Sequence, residues 1–175
     1  MSESLRGQLL IAAPSLFDYF RRTVVLVLEH KEEGAMGVVL NRRSDTTVAE
    51  AVPALAELPG AEEPVYVGGP VASDSVVALG EFADPCEAGT HVVGGLGTLD
   101  PDRPSLSLQR LRVYAGYAGW SPSQLDEELE QGAWIVEPAR EDDPFSEGDI
   151  WSETLRRKGG GYSLLATMPG DPSAN

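Results

Sequence analysis

The sequence predicts an α/β fold of the α+β type: a central mixed, largely antiparallel sheet or open barrel with helices packed outside. Three observations carry this expectation. Runs of β-branched and apolar residues dominate the chain, as in residues 23–28 (TVVLVL), 35–41 (AMGVVLN) and 111–118 (LRVYAGYA). Most of these runs are joined by short links. Helical patterns interrupt them irregularly, so no regular βα repeat emerges.

Residues 7–13 form a short apolar run ended by Pro14 and read as the first strand. Residues 23–28 are almost continuously apolar and read as a strand buried on both faces. A charged turn at 31–34 leads into the strand 35–41, which makes the pair an antiparallel hairpin. Thr46 or Thr47 can cap a helix reaching Leu58, with Glu50 placed as in a capping box. Pro53 would kink or shorten that helix, and Pro59-Gly60 ends it. Residues 65–67 and 75–79 are strand candidates on either side of Gly68-Gly69-Pro70, and 91–93 is another. Residues 100–104 read as a loop. After the strand 111–118, Ser121 caps a helix with Pro122 at its first position and Gln124 completing the box, and Gly132 stops it. Residues 133–136 are a further strand. Residues 149–158 form an amphipathic helix with Ile150, Trp151 and Leu155 on or near one face. Glycines 159–161 break it, 163–168 is an apolar run, and 169–175 reads as a frayed tail. A length of 175 residues suits one domain covering 1–175.

Composition narrows the function. With 42% hydrophobic and 23% charged residues the chain is an ordinary globular mix. Twenty-eight acids against thirteen bases give a net charge of -15. A field this negative repels a nucleic-acid duplex, and the bases cluster only at Arg21-Arg22, Arg42-Arg43 and Arg156-Arg157-Lys158. Direct nucleic-acid binding is therefore disfavoured. The single cysteine, Cys86, cannot form an internal disulfide, which fits a reducing cytoplasm. No window reaches the roughly 18 apolar residues of a membrane span. The N-terminal segment lacks the basic start and longer apolar core of a signal peptide. A cytoplasmic protein with no membrane association is the expectation.

Motifs for catalysis and cofactors are missing. The two histidines, His30 and His91, are not spaced with Cys or His partners as metal ligands usually are. Glu29 and His30 are strand neighbours, so they face opposite ways. Cys86 lies among acids that disfavour its thiolate. Gly94-Gly95-Leu96-Gly97 leads into Thr98-Leu99-Asp100-Pro101 and not into a helix, so it reads as a turn or bulge and not a dinucleotide fingerprint. No phosphate-binding loop and no nucleophile elbow occur. Asp126, Glu127, Glu128 and Glu130 share one helix and read as a solvated or partner-facing patch. No catalytic residue, metal ligand or cofactor is therefore assigned.

What remains is a set of polar and aromatic residues in glycine-rich turns: Glu29-His30, Asn41-Arg42, Gly68-Gly69-Pro70, and Tyr117 with Trp120 between Gly116 and the helix cap. Such turns could line a cleft with aromatic walls. The plainer reading is that they are corners of a tight barrel, with Trp120 stapling the helix that follows.

The same residues resemble the YqgE/AlgH family. The opening run Gly7-Gln8-Leu9-Leu10-Ile11-Ala12 with Pro14 is similar to its first motif. Arg22-Thr23-Val24-Val25 leading to Glu29-His30 is similar to its second. Residues 34–42 (GAMGVVLNR), Gly68-Gly69-Pro70-Val71, and Gly116-Tyr117-Ala118-Gly119-Trp120 with Gln124-Leu125 and Glu128-Leu129 follow in the family's order. Ala133-Trp134, Trp151, Met168-Pro169 and Asp171-Pro172-Ser173 complete the set over nearly the full chain. Four departures stand out. Tyr19 follows Asp18 where the family commonly has proline, Arg43 replaces proline after Asn41-Arg42, Ser123 replaces glycine before Gln124-Leu125, and the segment 97–111 is shorter than the usual helical stretch.

The resemblance implies a compact α/β fold around a barrel-like sheet and no known reaction. Some family members have been described as transcriptional regulators. The acidity of this chain argues against direct operator contact. The expectation is a noncatalytic binding or regulatory domain acting through a protein or small-molecule partner. The alternative is a small-ligand enzyme using a cleft of Glu29, His30, Asn41, Arg42 and Tyr117, in which His30 acts as acid or base and Arg42 clamps an anion.

Overall fold

A computed structural model describes residues 4–14, 20–99 and 106–167. The expected loop at 100–104 and tail at 169–175 lie outside these residues.

The strands in chain order are β1 (Gln8–Ala12), β2 (Val24–Lys31), β3 (Gly34–Val39), β4 (Arg43–Thr47), β5 (Pro64–Val67), β6 (Val71–Phe82), β7 (His91–Val93), β8 (Leu96–Thr98), β9 (Leu108–Trp120) and β10 (Trp134–Pro138). The α-helices are α1 (Val48–Ala51), α2 (Gln124–Glu130), α3 (Ile150–Lys158) and α4 (Tyr162–Leu165). The strands form an open sheet in the order β10-β1-β2-β3-β9-β6-β8-β7. Among the described residues the one parallel pairing is β5 with β9; β4 pairs with β5 beside this path. The mixed, largely antiparallel sheet is the architecture the sequence predicts.

The long strand β9 joins two halves. Its end pairs with β3 through Ala35↔Trp120 and Gly37↔Ala118, while its body pairs with β6 from Leu108 to Tyr117. The half around β1–β3 is covered on both faces. Leu9, Ile11, Leu26 and Val38 face Ile150, Trp151 and Leu155 of α3. Leu10, Val25, Val27 and Val39 face Leu125 of α2, Trp120 and Trp134. Alternation across two buried faces is why Thr23 to Val27 are all fully buried, and why the run TVVLVL shows no polar period. A smaller cluster of Val48, Val65, Leu111 and Val113 fills the other half under α1. Trp151 ties α3 to the sheet: it is 1% exposed, and its indole N–H donates to the Ala12 carbonyl at 2.8 Å. Deleting an aromatic side chain of this kind from a core costs about 3–5 kcal/mol.

Local chemistry explains where elements differ from expectation. Thr47 does cap a helix, accepting from the Glu50 N–H at 3.2 Å, but α1 ends at Ala51 and not near Leu58. Pro53 has no N–H to continue the ladder, so the chain shifts to a single 3-10 turn, Pro53–Leu55. The helix expected from Ser121 begins at Gln124. The box is half made: the Gln124 side chain accepts from the Ser121 N–H at 3.0 Å. Ser123 then turns the chain at a φ of +68° before the first helical turn. Strands β4 and β8 escaped the sequence reading because both are short; β4 is mostly polar. Gly94-Gly95 makes the two-residue turn between β7 and β8, with Gly94 at a φ of +56°.

Candidate functional site

A groove of about 610 Å³ lies over the β2–β3–β9 ladder. Its main walls are Glu29, Lys31, Met36, Val71, Tyr117 and Trp120. Pairing builds it. A bulge in β2 after Val27 resets the register, so Glu29 stands opposite Met36, and Met36 stands opposite Gly119 of β9. Gly119 has no side chain to fill the row, which leaves open floor between Tyr117 and Val71. Val71 is 38% exposed and pairs with Tyr117 across the β6–β9 ladder. Between Val71 and Val76 strand β6 loops outward, with every residue exposed.

Glycines position this wall. A Cβ at Gly68 or Gly69 would overlap the backbone of Gly116 or Tyr117. Gly116 itself sits at a φ of +74°, and a Cβ there would lie 2.5 Å from the Gly69 carbonyl oxygen. The Gly68-Gly69-Pro70 and Gly116-Tyr117 motifs are therefore two sides of one seam, where backbones touch directly.

Trp120 is held from below. Its indole N–H donates to Glu128 Oε1 at 3.0 Å, and the Trp134 indole donates to the same oxygen at 2.8 Å. Gln124 Nε2 donates to the other oxygen at 2.9 Å. The two indole rings meet edge to face at 6.0 Å. Glu128 is thus no member of a solvated acidic patch but the acceptor that fixes both tryptophans. Its spacing in α2, one turn after Gln124, was the available signal.

The remaining sequence candidates stand elsewhere. His30 faces the opposite side of the hairpin from Glu29, lining a cavity of about 460 Å³ with Ser121 and Asp126. Its Nδ1 accepts from the Leu5 N–H at 2.9 Å, tying the N-terminal segment to β2. The Asn41 amide is used structurally: Oδ1 accepts from the Val24 N–H at 3.1 Å and Nδ2 donates to the Arg22 carbonyl at 2.9 Å. Arg42 is half-buried, and its carbonyl accepts from the Val67 N–H at 2.6 Å. Glu29, Tyr117 and Trp120 therefore share one groove, while His30 and Asn41 line two others.

The Asn41 cavity, about 290 Å³, contains the residue sequence reasoning passed over. Arg112 lies in β9 between Leu111 and Val113 and is only 5% exposed. Its guanidinium stacks on the Tyr66 ring at 4.3 Å, with the Phe145 ring at 5.7 Å. Nε and Nη1 are buried without a hydrogen-bond partner. Asp143, the buried acid of the same cavity, is engaged by Arg157 through two 2.9 Å contacts. That pairing, with Glu137 added, raises the Arg157 pKa. A charge inside the run 111–118 (LRVYAGYA), which is otherwise free of charged residues, was the signal for Arg112. Among the described residues no His, Cys, Asp and Glu side chains group as a metal site.

An AlgH-like family model matches residues 9–163. The chain belongs to the AlgH-like family. It is 43% identical to UPF0301 protein SCO2948 of Streptomyces coelicolor, over 98% of this chain and 96% of that protein. A UPF0301 protein of Mycobacteroides abscessus is 39% identical over 97% of this chain and 87% of its own length. Among solved structures, the crystal structure of protein DIP2367 from Corynebacterium diphtheriae superposes with a TM-score of 0.86 at 32% identity, covering 95% of this chain and 94% of that one. The solution structure of AlgH from Pseudomonas aeruginosa matches with a TM-score of 0.70 at 29% identity, covering 98% and 100%. The AlgH-like fold is thus shared over nearly the whole chain.

Proposed function

We propose that this AlgH-like chain is a noncatalytic binding domain that engages a partner protein through the Tyr117 groove. The observation that supports this reading is the composition of the groove. Met36, Val71 and the Tyr117 ring offer apolar contact, and Glu29 and Glu33 place carboxylates around it against the single Lys31. These side chains supply surface and charge, not a nucleophile beside a base. Charge complementarity selects the occupant. A groove with excess acid, on a chain of net charge -15, favours a segment carrying lysine or arginine beside an apolar anchor. A regulatory role would run through such a partner, since the same charge opposes contact with nucleic acid.

The test is fluorescence anisotropy with defined peptides that pair a basic residue with leucine or phenylalanine, against sequence-scrambled acidic versions. Binding of the basic set, weakened about tenfold or more by Tyr117→Ala and by Val71→Asp, supports the reading. Equal affinity of wild type and both variants, or preference for the acidic set, overturns it. Val71 is exposed, so Val71→Asp tests the surface without disturbing the core.

A further inference from the structure

We infer that the Arg112 cavity is a binding site for a small carboxylate that also carries an ammonium group, the chemistry of a free amino acid. The site shares no lining residue with the Tyr117 groove. Arg112 is a guanidinium that is 95% removed from solvent by its 5% exposure, yet Nε and Nη1 donate to nothing. A buried cation is normally matched by a carboxylate. Here the buried acid at hand, Asp143, is already bound by Arg157 and also accepts from the Arg140 N–H at 2.7 Å. Aromatic stacking on Tyr66 orients the guanidinium plane without satisfying its donors. The planar fork of arginine suits a carboxylate, which accepts two parallel hydrogen bonds.

The rest of the cavity narrows the ligand. A volume of about 290 Å³ admits a small molecule and no polymer. Leu40, Ile150 and the Tyr66 ring supply apolar wall. The exposed mouth carries Glu63 and Glu147 against Arg43, a net negative rim. That rim opposes entry of dianions such as succinate or phosphate and attracts an ammonium group at the outer end of the ligand.

Thermal unfolding of the full chain with glycine, L-serine or L-leucine, against acetate, succinate and inorganic phosphate at matched ionic strength, tests this. A ligand that binds only the folded state raises its melting temperature. At least one amino acid should do so, by more than acetate, succinate or phosphate. Arg112→Lys keeps the charge but loses the fork, and should weaken the dissociation constant about tenfold or more. Arg112→Met should abolish the response while leaving the unliganded melting temperature equal or higher, since an unpartnered buried cation is removed. A melting temperature that none of the amino acids raises, a response no larger than that to acetate, or a response retained in Arg112→Met overturns the inference. A lowered melting temperature in unliganded Arg112→Met, with no amino-acid response in wild type, assigns Arg112 to packing on Tyr66 alone.

Discussion

Tyr114 shows what the interior demands of single residues. It is fully buried in β9, and its hydroxyl has no hydrogen-bond partner. Burial pushes its pKa far above the ordinary phenol value of 10.0, against the opposing influence of Arg112. The folded state therefore holds a proton that the unfolded state releases above that value. This contribution is fully present below pH 10 and is lost as pH rises beyond it, at about 1.4 kcal/mol per pH unit. Tyr114→Phe should unfold with a shallower alkaline dependence, as read from urea midpoints between neutral and alkaline pH. An unchanged alkaline slope in the variant would show that other groups set it. At neutral pH the variant should lose little stability, because the hydroxyl it deletes is unpaired.

At the scale of elements, the entry to α2 explains a departure from the family pattern. The resemblance to the YqgE/AlgH family implies a glycine before Gln124-Leu125, and this chain has Ser123 there. Ser123 sits at a φ of +68°, in the left-handed region that a side chain resists. The glycine of the family pattern is thus the residue the backbone asks for. Ser123 makes no capping hydrogen bond that would offset the strain. Ser123→Gly should raise stability by about 1 kcal/mol, seen as a higher urea midpoint at unchanged slope. A variant less stable than wild type would mean that the hydroxyl contributes more than the strain costs. The rest of the helix was legible: Gln124 reaching back to Ser121 and Leu125 turned inward both follow from its spacing. Its true start was not, because a positive φ at a serine leaves no mark in sequence.

At the scale of the molecule, β9 is the shared strand of two half-sheets. All three tryptophans, Trp120, Trp134 and Trp151, report on the half that packs against α2 and α3. Far-ultraviolet circular dichroism reports on both halves. If β9 and the Gly68–Gly116 seam weld them into one unit, the two probes should give superimposable urea transitions. Fluorescence and dichroism midpoints that separate would show two units that unfold independently. Long-range organisation of this kind was only partly visible in sequence. The β2–β3 hairpin could be read from its short charged turn. The pairing of β1 with β10 joins Leu10 to Val136 and depends on contacts that no local pattern specifies.

The sequence by itself determined the strand-rich α+β class, the antiparallel hairpin, the capping of α1, the amphipathic helix α3, the acidic character and the family. Each of these follows from local spacing, side-chain chemistry or summed charge, which need no knowledge of what lies across the fold. Tertiary structure alone decided which candidates meet. It set Glu29 beside Tyr117 and Trp120, sent His30 to the other face because strand neighbours alternate, and committed Asn41 to the backbone. It turned Glu128 into an anchor for two indoles, and it buried Arg112 with its Nε and Nη1 unpartnered. Burial and partnership belong to surfaces brought together from distant parts of the chain, and they exist only once the sheet and the helices that cover it have packed.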